Sequence, residues 1–128
     1  NNKAKAVISI CETLVEKHKG KVPCDMDALT ELAGVGRKSA SVVLGNTCGV
    51  NDVIIVDTHL KRVAGRLGLI KNEDPTKIEF ELKELIPPTD QWRFSMRIGE
   101  HGRVICDARK PKCGECAFNK TCPSSNIK

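Results

Sequence analysis

The run Leu32-Ala33-Gly34-Val35-Gly36-Arg37-Lys38-Ser39-Ala40 decides the fold of this chain. Two glycines one residue apart separate two segments of helical pattern, Asp27 to Leu32 before them and Arg37 to Cys48 after. Glycine adopts positive φ and admits a second backbone at close range, so Gly34-Val35-Gly36 reads as a tight hairpin between helices, with Val35 turned inward as its apolar plug. The amides that open the second helix have no helical partner and form a small anion site suited to a phosphate. Glycine turns between helices are common; the Arg37-Lys38 pair in the first turn of the following helix makes this one specific.

Working outward, residues 3 to 18 carry Val7, Ile8, Cys11, Leu14 and Val15 at helical spacing, with Lys3, Lys5, Glu12 and Lys17 elsewhere on the wheel. Gly20 and Pro23 end that helix, and Asp25 or Asp27 caps the short one that enters the hairpin. Beyond the hairpin, Ala40, Val42, Val43 and Leu44 predict a central, buried helix ended by Gly49. Residues 51 to 56 form a short connection, too isolated to demand a sheet. A helix from Thr58 to Leu67 follows, closed by Gly68. Asp74-Pro75, a cap and a first-position proline, opens another that reaches Ile86. After Pro87-Pro88, Thr89-Asp90 caps a last helix from Gln91 to about Ile105, its face including Trp92, Met96 and Ile98. The fold class is all-α, without repeats or low-complexity tracts. Residues 1–50 form one lobe around the hairpin and 51–128 a second helical lobe.

The chain has 128 residues, enough for one modest core, and with three Phe, one Trp and no Tyr that core rests on aliphatic side chains. A formal charge of +5 favours an anionic partner, nucleic acid foremost. No apolar run is long enough to span a bilayer and no signal peptide is evident, so an intracellular location is expected. The chain opens without methionine, directly in a helical pattern, as a piece of a longer protein would.

Of the seven cysteines, Cys106, Cys113, Cys116 and Cys122 follow the spacing Cys-x6-Cys-x2-Cys-x5-Cys. Four thiols within seventeen residues point to a metal centre in a reducing compartment. Structural zinc more often uses two short Cys pairs, and all-thiolate ligation in a wide loop suits an iron-sulfur cluster equally well. Between the first two ligands lie Arg109, Lys110 and Lys112, which a loop pinned at both ends would hold stiffly against phosphates. Cys11, Cys24 and Cys48 are scattered and read as small apolar residues.

Lys38 sits at the positive end of a helix beside Arg37, and both features disfavour its ammonium form, leaving the amine more available as a nucleophile. On its own, a first-turn lysine is usually only solvated. Asp57 precedes Thr58 at a helix start, where an aspartate is more often an N-cap than a catalytic acid. His59 has a supporting place beside it.

Taken together, Leu32 to Lys38, then Val56-Asp57-Thr58-His59, then His101-Gly102-Arg103 leading into the four cysteines, resemble the endonuclease III family of the helix-hairpin-helix/Gly-Pro/Asp DNA glycosylases. The resemblance runs through nearly the whole chain in a single order. It implies that Lys38 is the Schiff-base lysine and Asp57 the essential aspartate. It also implies that Gly34, Val35, Gly36 and Arg37 touch DNA and that Cys106, Cys113, Cys116 and Cys122 hold a [4Fe-4S] cluster. The implied activity is base excision with AP lyase chemistry on oxidised pyrimidines and abasic sites in double-stranded DNA. Related adenine glycosylases generally lack the lysine and the Asp-Thr-His run, which sets this chain on the bifunctional side. In a bacterium such a protein works in the cytoplasm at the nucleoid, in a eukaryote in the nucleus or mitochondrion.

Three departures stand out. Ala33 replaces the family's proline before the first hairpin glycine, and no proline lies between Gly49 and Asp57. The family's N-terminal barrel helices have no counterpart here, which leaves a wall of the damage pocket to another segment or chain. Two other readings use the same residues: a non-catalytic helix-hairpin-helix module that grips DNA, and a zinc-bound helical interaction domain. The second leaves Lys38 and Asp57 without a task.

Overall fold

The computed structural model describes residues 1–127, and all regular structure among them is helical. The elements are α1 (Asn2–His18), α2 (Met26–Thr30), α3 (Arg37–Thr47), α4 (Thr58–Arg66), α5 (Pro75–Leu85) and α6 (Gln91–Val104), with 3-10 turns at Pro88–Asp90 and Cys113–Glu115. They form two compact units that divide between Val50 and Asn51.

In the first unit, Asp25 caps α2, its carboxylate accepting the Ala28 N–H at 2.9 Å. Leu29 and Leu32 are buried on the approach to the hairpin, and Ala40, Ser41, Leu44 and Gly45 are the buried face of α3. Val42 and Val43 are only half-buried, so the contact face of α3 is narrower than its composition predicts. Positive φ is confined to one hairpin glycine: Gly34 has φ 72, whereas Gly36 is extended at φ −91, ψ 177 and serves as the N-cap of α3. A β-carbon at Gly34 would also meet the Ala6 Cβ at 3.4 Å, so conformation and a close approach to α1 both select glycine. The expected inward plug, Val35, is half-buried, while Leu32 ahead of the hairpin is buried at 5% exposure. On α1 the predicted apolar stripe is present but open, with Val7, Ile8 and Val15 about 60% exposed or more and no residue buried.

One sequence reading is overturned here. Cys24 and Cys48 are not independent apolar residues but a disulfide pair, their Cα atoms 5.9 Å apart. The turn back through the hairpin brings the entry to α2 and the C-cap of α3 together, a proximity that a separation of 24 residues does not announce.

The second unit is built on Ile54, Leu60, Val63, Ala64, Ile78, Leu82 and Ile98, with Val56, Leu67, Leu69, Ile70 and Phe94 packed against them. At about 1.5–3 kcal/mol for each large aliphatic side chain removed from water, this cluster dominates the stability of the unit. Asp57 caps α4 and Asp74 caps α5 ahead of Pro75. Asp90 precedes α6 but its side chain makes no capping bond and lies 3.8 Å from Arg93 instead; the preceding 3-10 turn already sets the helix entry, so the expected cap is not used. The buried face of α6 is Gln91, Ser95, Ile98, Gly99 and Gly102, with Trp92 half-buried and Met96 facing out. This face is small because α4 lies against it: a β-carbon on Gly102 would be 3.0 Å from the His59 Cβ and 3.1 Å from Val63 Cγ2.

The connection into α4 is extended yet buried at Val53, Ile54 and Ile55. Its polar groups are met by α6: Ile55 N–H donates to Ser95 Oγ at 3.0 Å, and Trp92 N–H to the Asn51 carbonyl at 2.9 Å. A buried strand needs partners for its amides, and here a side chain and a helix start supply them. That tether fixes the backbone two residues ahead of Asp57.

Candidate active site and metal centre

In the first unit, Gly34, Val35, Gly36, Arg37 and Lys38 follow one another through the hairpin into the first turn of α3. Gly36 makes no side-chain cap, so the opening amides of the helix have no such partner, and Gly36, Arg37 and Lys38 are exposed. An eleven-residue helix ending in that way offers its positive end to an anion.

In the second unit, Asp57 is both the N-cap of α4 and a held carboxylate. Its Oδ1 accepts the Leu60 N–H at 2.7 Å, and its Oδ2 lies 3.7 Å from Arg103 Nη2. The side chain is 17% exposed. Arg103, part of the His101-Gly102-Arg103 run already singled out in the sequence, also pairs one turn back with Glu100 at 3.6 Å; its contact with Asp57 was not foreseen. His59 contacts Arg62, with Nδ1 3.2 Å from its Nη2.

Cys106, Cys113, Cys116 and Cys122 line one cavity together with Val63, Arg66, Leu67, His101 and Ile105. All four are free thiols and half-buried. Polar groups of the same unit meet their sulfurs. Arg66 Nη1 lies 3.3 Å from Cys106 Sγ, His101 Nε2 lies 3.4 Å from Cys116 Sγ, and the Phe118 N–H donates to Cys116 Sγ at 3.4 Å. His101 is fixed by the Phe118 ring, edge-on at 5.5 Å. Among the described residues no three His, Cys, Asp or Glu side chains converge closely enough to hold one metal ion. Soft all-sulfur donors with N–H groups beside them suit either a structural zinc or an iron-sulfur cluster.

The loop between Cys106 and Cys113 is held from beneath. Arg66 donates to the Asp107 carbonyl at 2.7 Å and the Ala108 carbonyl at 2.9 Å, while Arg62 reaches the Cys106 and Gly102 carbonyls at 3.2 and 2.7 Å. Asp107 accepts the Arg109 and Lys110 amides at 2.9 and 3.0 Å, and these bonds, that of Lys110 foremost, hold its carboxyl below the usual range. Arg109, Lys110 and Lys112 stand exposed on this loop. Arg62 and Arg66 were missed as functional residues; their separation of four on the helix after Asp57 is the one signal that placed them on a common face.

The fold and this arrangement define a class before any particular relative is considered. Residues 1–88 match the family described as "HhH-GPD superfamily base excision DNA repair protein", and the chain belongs to that superfamily. It is 48% identical over 124 residues to Endonuclease III of Synechocystis sp., a match covering 97% of this chain and 57% of that protein. Among solved structures it is similar, at TM-score 0.90 and 37% identity, to a non-covalent Endonuclease III-DNA complex and to a trapped Endonuclease III-DNA covalent intermediate. Each likeness covers 96% of this chain and 57% or 58% of the solved chain. The chain thus spans a little over half the length of these relatives. No helix among the described residues is long and apolar enough to cross a membrane.

Proposed function

We propose that this chain is the part of a base-excision DNA glycosylase with AP lyase activity that carries its nucleophile, its carboxylate and its iron-sulfur lobe, acting on oxidised pyrimidines and abasic sites in double-stranded DNA. The observation that carries this reading is Lys38, exposed in the first turn of α3 directly after the uncapped hairpin, in a chain of this superfamily. A phosphate gripped by the hairpin amides brings a deoxyribose within reach of that amine. The relative trapped as a covalent DNA intermediate supports a covalent route.

The chemistry follows from the residue types. The damaged nucleotide leaves the stack, exposing C1′. As the C1′–N bond breaks, positive charge builds on the sugar, and the Asp57 carboxylate stabilises it. The neutral amine of Lys38 forms a bond to C1′ and the departing base takes a proton. Ring opening gives an imine between Lys38 and C1′, which acidifies the C2′ proton. Loss of that proton expels the 3′ phosphate and nicks the strand; water then releases the lysine.

Cys106, Cys113, Cys116 and Cys122 hold a [4Fe-4S] cluster in this reading. When bound, it cross-links the ends of the loop that presents Arg109, Lys110 and Lys112 to the DNA backbone. Residues 1–50 contribute the hairpin and part of the helical barrel, and 51–128 the cluster lobe. The partner helices that complete the barrel come from a preceding segment or another chain, and the working location is intracellular, at the DNA.

Borohydride trapping tests the proposal. The protein is expected to form a covalent adduct with abasic duplex DNA, lost in Lys38→Ala while duplex binding persists. Binding without any adduct would reduce the chain to a DNA-gripping module.

A further inference from the structure

The first unit carries a feature that DNA repair chemistry does not use. Cys24 stands immediately before the Asp25 cap of α2, and Cys48 is the C-cap of α3. Their bond closes into a covalent ring the whole segment that holds α2, the hairpin, Arg37 and Lys38. Cys24 is exposed and Cys48 half-buried, so small solutes reach the bond without unfolding. An exposed disulfide of this kind is open to exchange with small thiols. The other cysteine of this unit, Cys11, is a free, exposed thiol on α1.

We propose that Cys24 and Cys48 are a reversible dithiol/disulfide modification site, written by low-molecular-weight disulfides and erased by low-molecular-weight thiols, which clamps the hairpin segment when oxidised. The inference stands on the disulfide and does not depend on the glycosylase reading. In the oxidising direction, the Cys24 thiolate attacks one sulfur of the small disulfide and expels one thiolate, giving a mixed disulfide. The Cys48 thiolate then attacks the Cys24 sulfur and expels the second. The two protein thiols lose two electrons and two protons; the small disulfide is reduced to two thiols, which take up those protons. Reduction by two thiols runs the same steps backwards.

Closing this ring removes conformations from the opened segment, whose core contacts are few: Leu29, Leu32, Ala40 and Leu44. Loop-closure entropy for a ring of this size is worth up to a few hundredfold in the opening equilibrium. Trypsin cleavage after Arg37 and Lys38 reads that opening.

The test uses the full chain, equilibrated in mixtures of reduced and oxidised glutathione, quenched with N-ethylmaleimide and mapped by peptide mass, with trypsin digestion timed on the same samples. The expected result is a Cys24–Cys48 linked peptide that appears and disappears reversibly across the series. Cleavage at Arg37 and Lys38 is expected to be at least tenfold slower in the linked form, with no redox dependence left in Cys24→Ser or Cys48→Ser. The wild-type comparison stands even where a variant folds poorly. Thiols that alkylate at every ratio, a bond captured by Cys11 instead, or equal cleavage rates in the two forms each overturn the proposal.

Discussion

Arg66, on the last turn of α4, reaches Cys106 Sγ at 3.3 Å and the Asp107 carbonyl at 2.7 Å with the same nitrogen. One guanidinium thus holds both a thiol of the cysteine ring and the backbone that leaves it. Arg66→Leu keeps much of the side-chain volume but strips these bonds. Charged hydrogen bonds of this kind are worth about 1.5–3 kcal/mol, so urea unfolding of the second unit should show a loss of about 2 kcal/mol. Visible absorbance of the proposed iron-sulfur cluster should bleach faster under a chelator. An unchanged bleaching rate would show that the loop does not need the arginine.

The helix cap that Asp57 makes and the catalytic role proposed for it can be separated by substitution. Asparagine caps helices as well as aspartate, so Asp57→Asn is expected to leave stability within about 0.5 kcal/mol of the parent, while Asp57→Ala loses about 1 kcal/mol with the cap. For turnover the order changes: both variants should fall by about 100-fold or more, because neither retains the charge that the proposed mechanism sets against the sugar. Paired melting curves and single-turnover rates on abasic DNA check this. Full activity in the asparagine variant would leave Asp57 as a helix cap only.

Gly34 combines φ 72 with a neighbour at 3.4 Å. Gly34→Ala therefore costs about 1–2 kcal/mol through the left-handed backbone alone, visible in thermal unfolding. Gly36→Ala, at an extended φ with nothing near its β-position, should cost well under half as much. Equal losses at the two positions would contradict the hairpin geometry.

The proposed phosphate contacts of Arg109, Lys110 and Lys112 predict an effect on DNA affinity through charge. Each replaced by alanine should weaken duplex binding without sequence preference and reduce the slope of log K against log salt by about 0.9. Fluorescence anisotropy at several salt concentrations measures the slope; a variant that weakens binding with the slope intact places that residue away from phosphate.

Much of this architecture was legible in the chain because its helix ends are written in local chemistry. Asp25, Asp57 and Asp74-Pro75 announce starts whose capping bonds are present, and the hairpin follows from Gly34. The spacing of Cys106, Cys113, Cys116 and Cys122 was enough to gather them around one cavity. What escaped was set by tertiary contact. Nothing local distinguishes Arg62 and Arg66 from solvated arginines until the loop after α6 folds across them. Cys24 and Cys48 look unrelated until the hairpin returns the chain. Trp92 and Met96 were read onto the inner face of α6, whereas the close approach of α4 selects Gly102 there and Ser95 is held by the Ile55 amide.

Gly102 carries a consequence for how this protein can vary. With His59 and Val63 pressed against its missing β-carbon, positions 102, 59 and 63 share a fixed allotment of volume. Trimming residue 63 alone would not admit alanine at 102, because the His59 Cβ stands nearer still at 3.0 Å; related sequences that keep a side chain at both 59 and 63 are expected to keep glycine at 102.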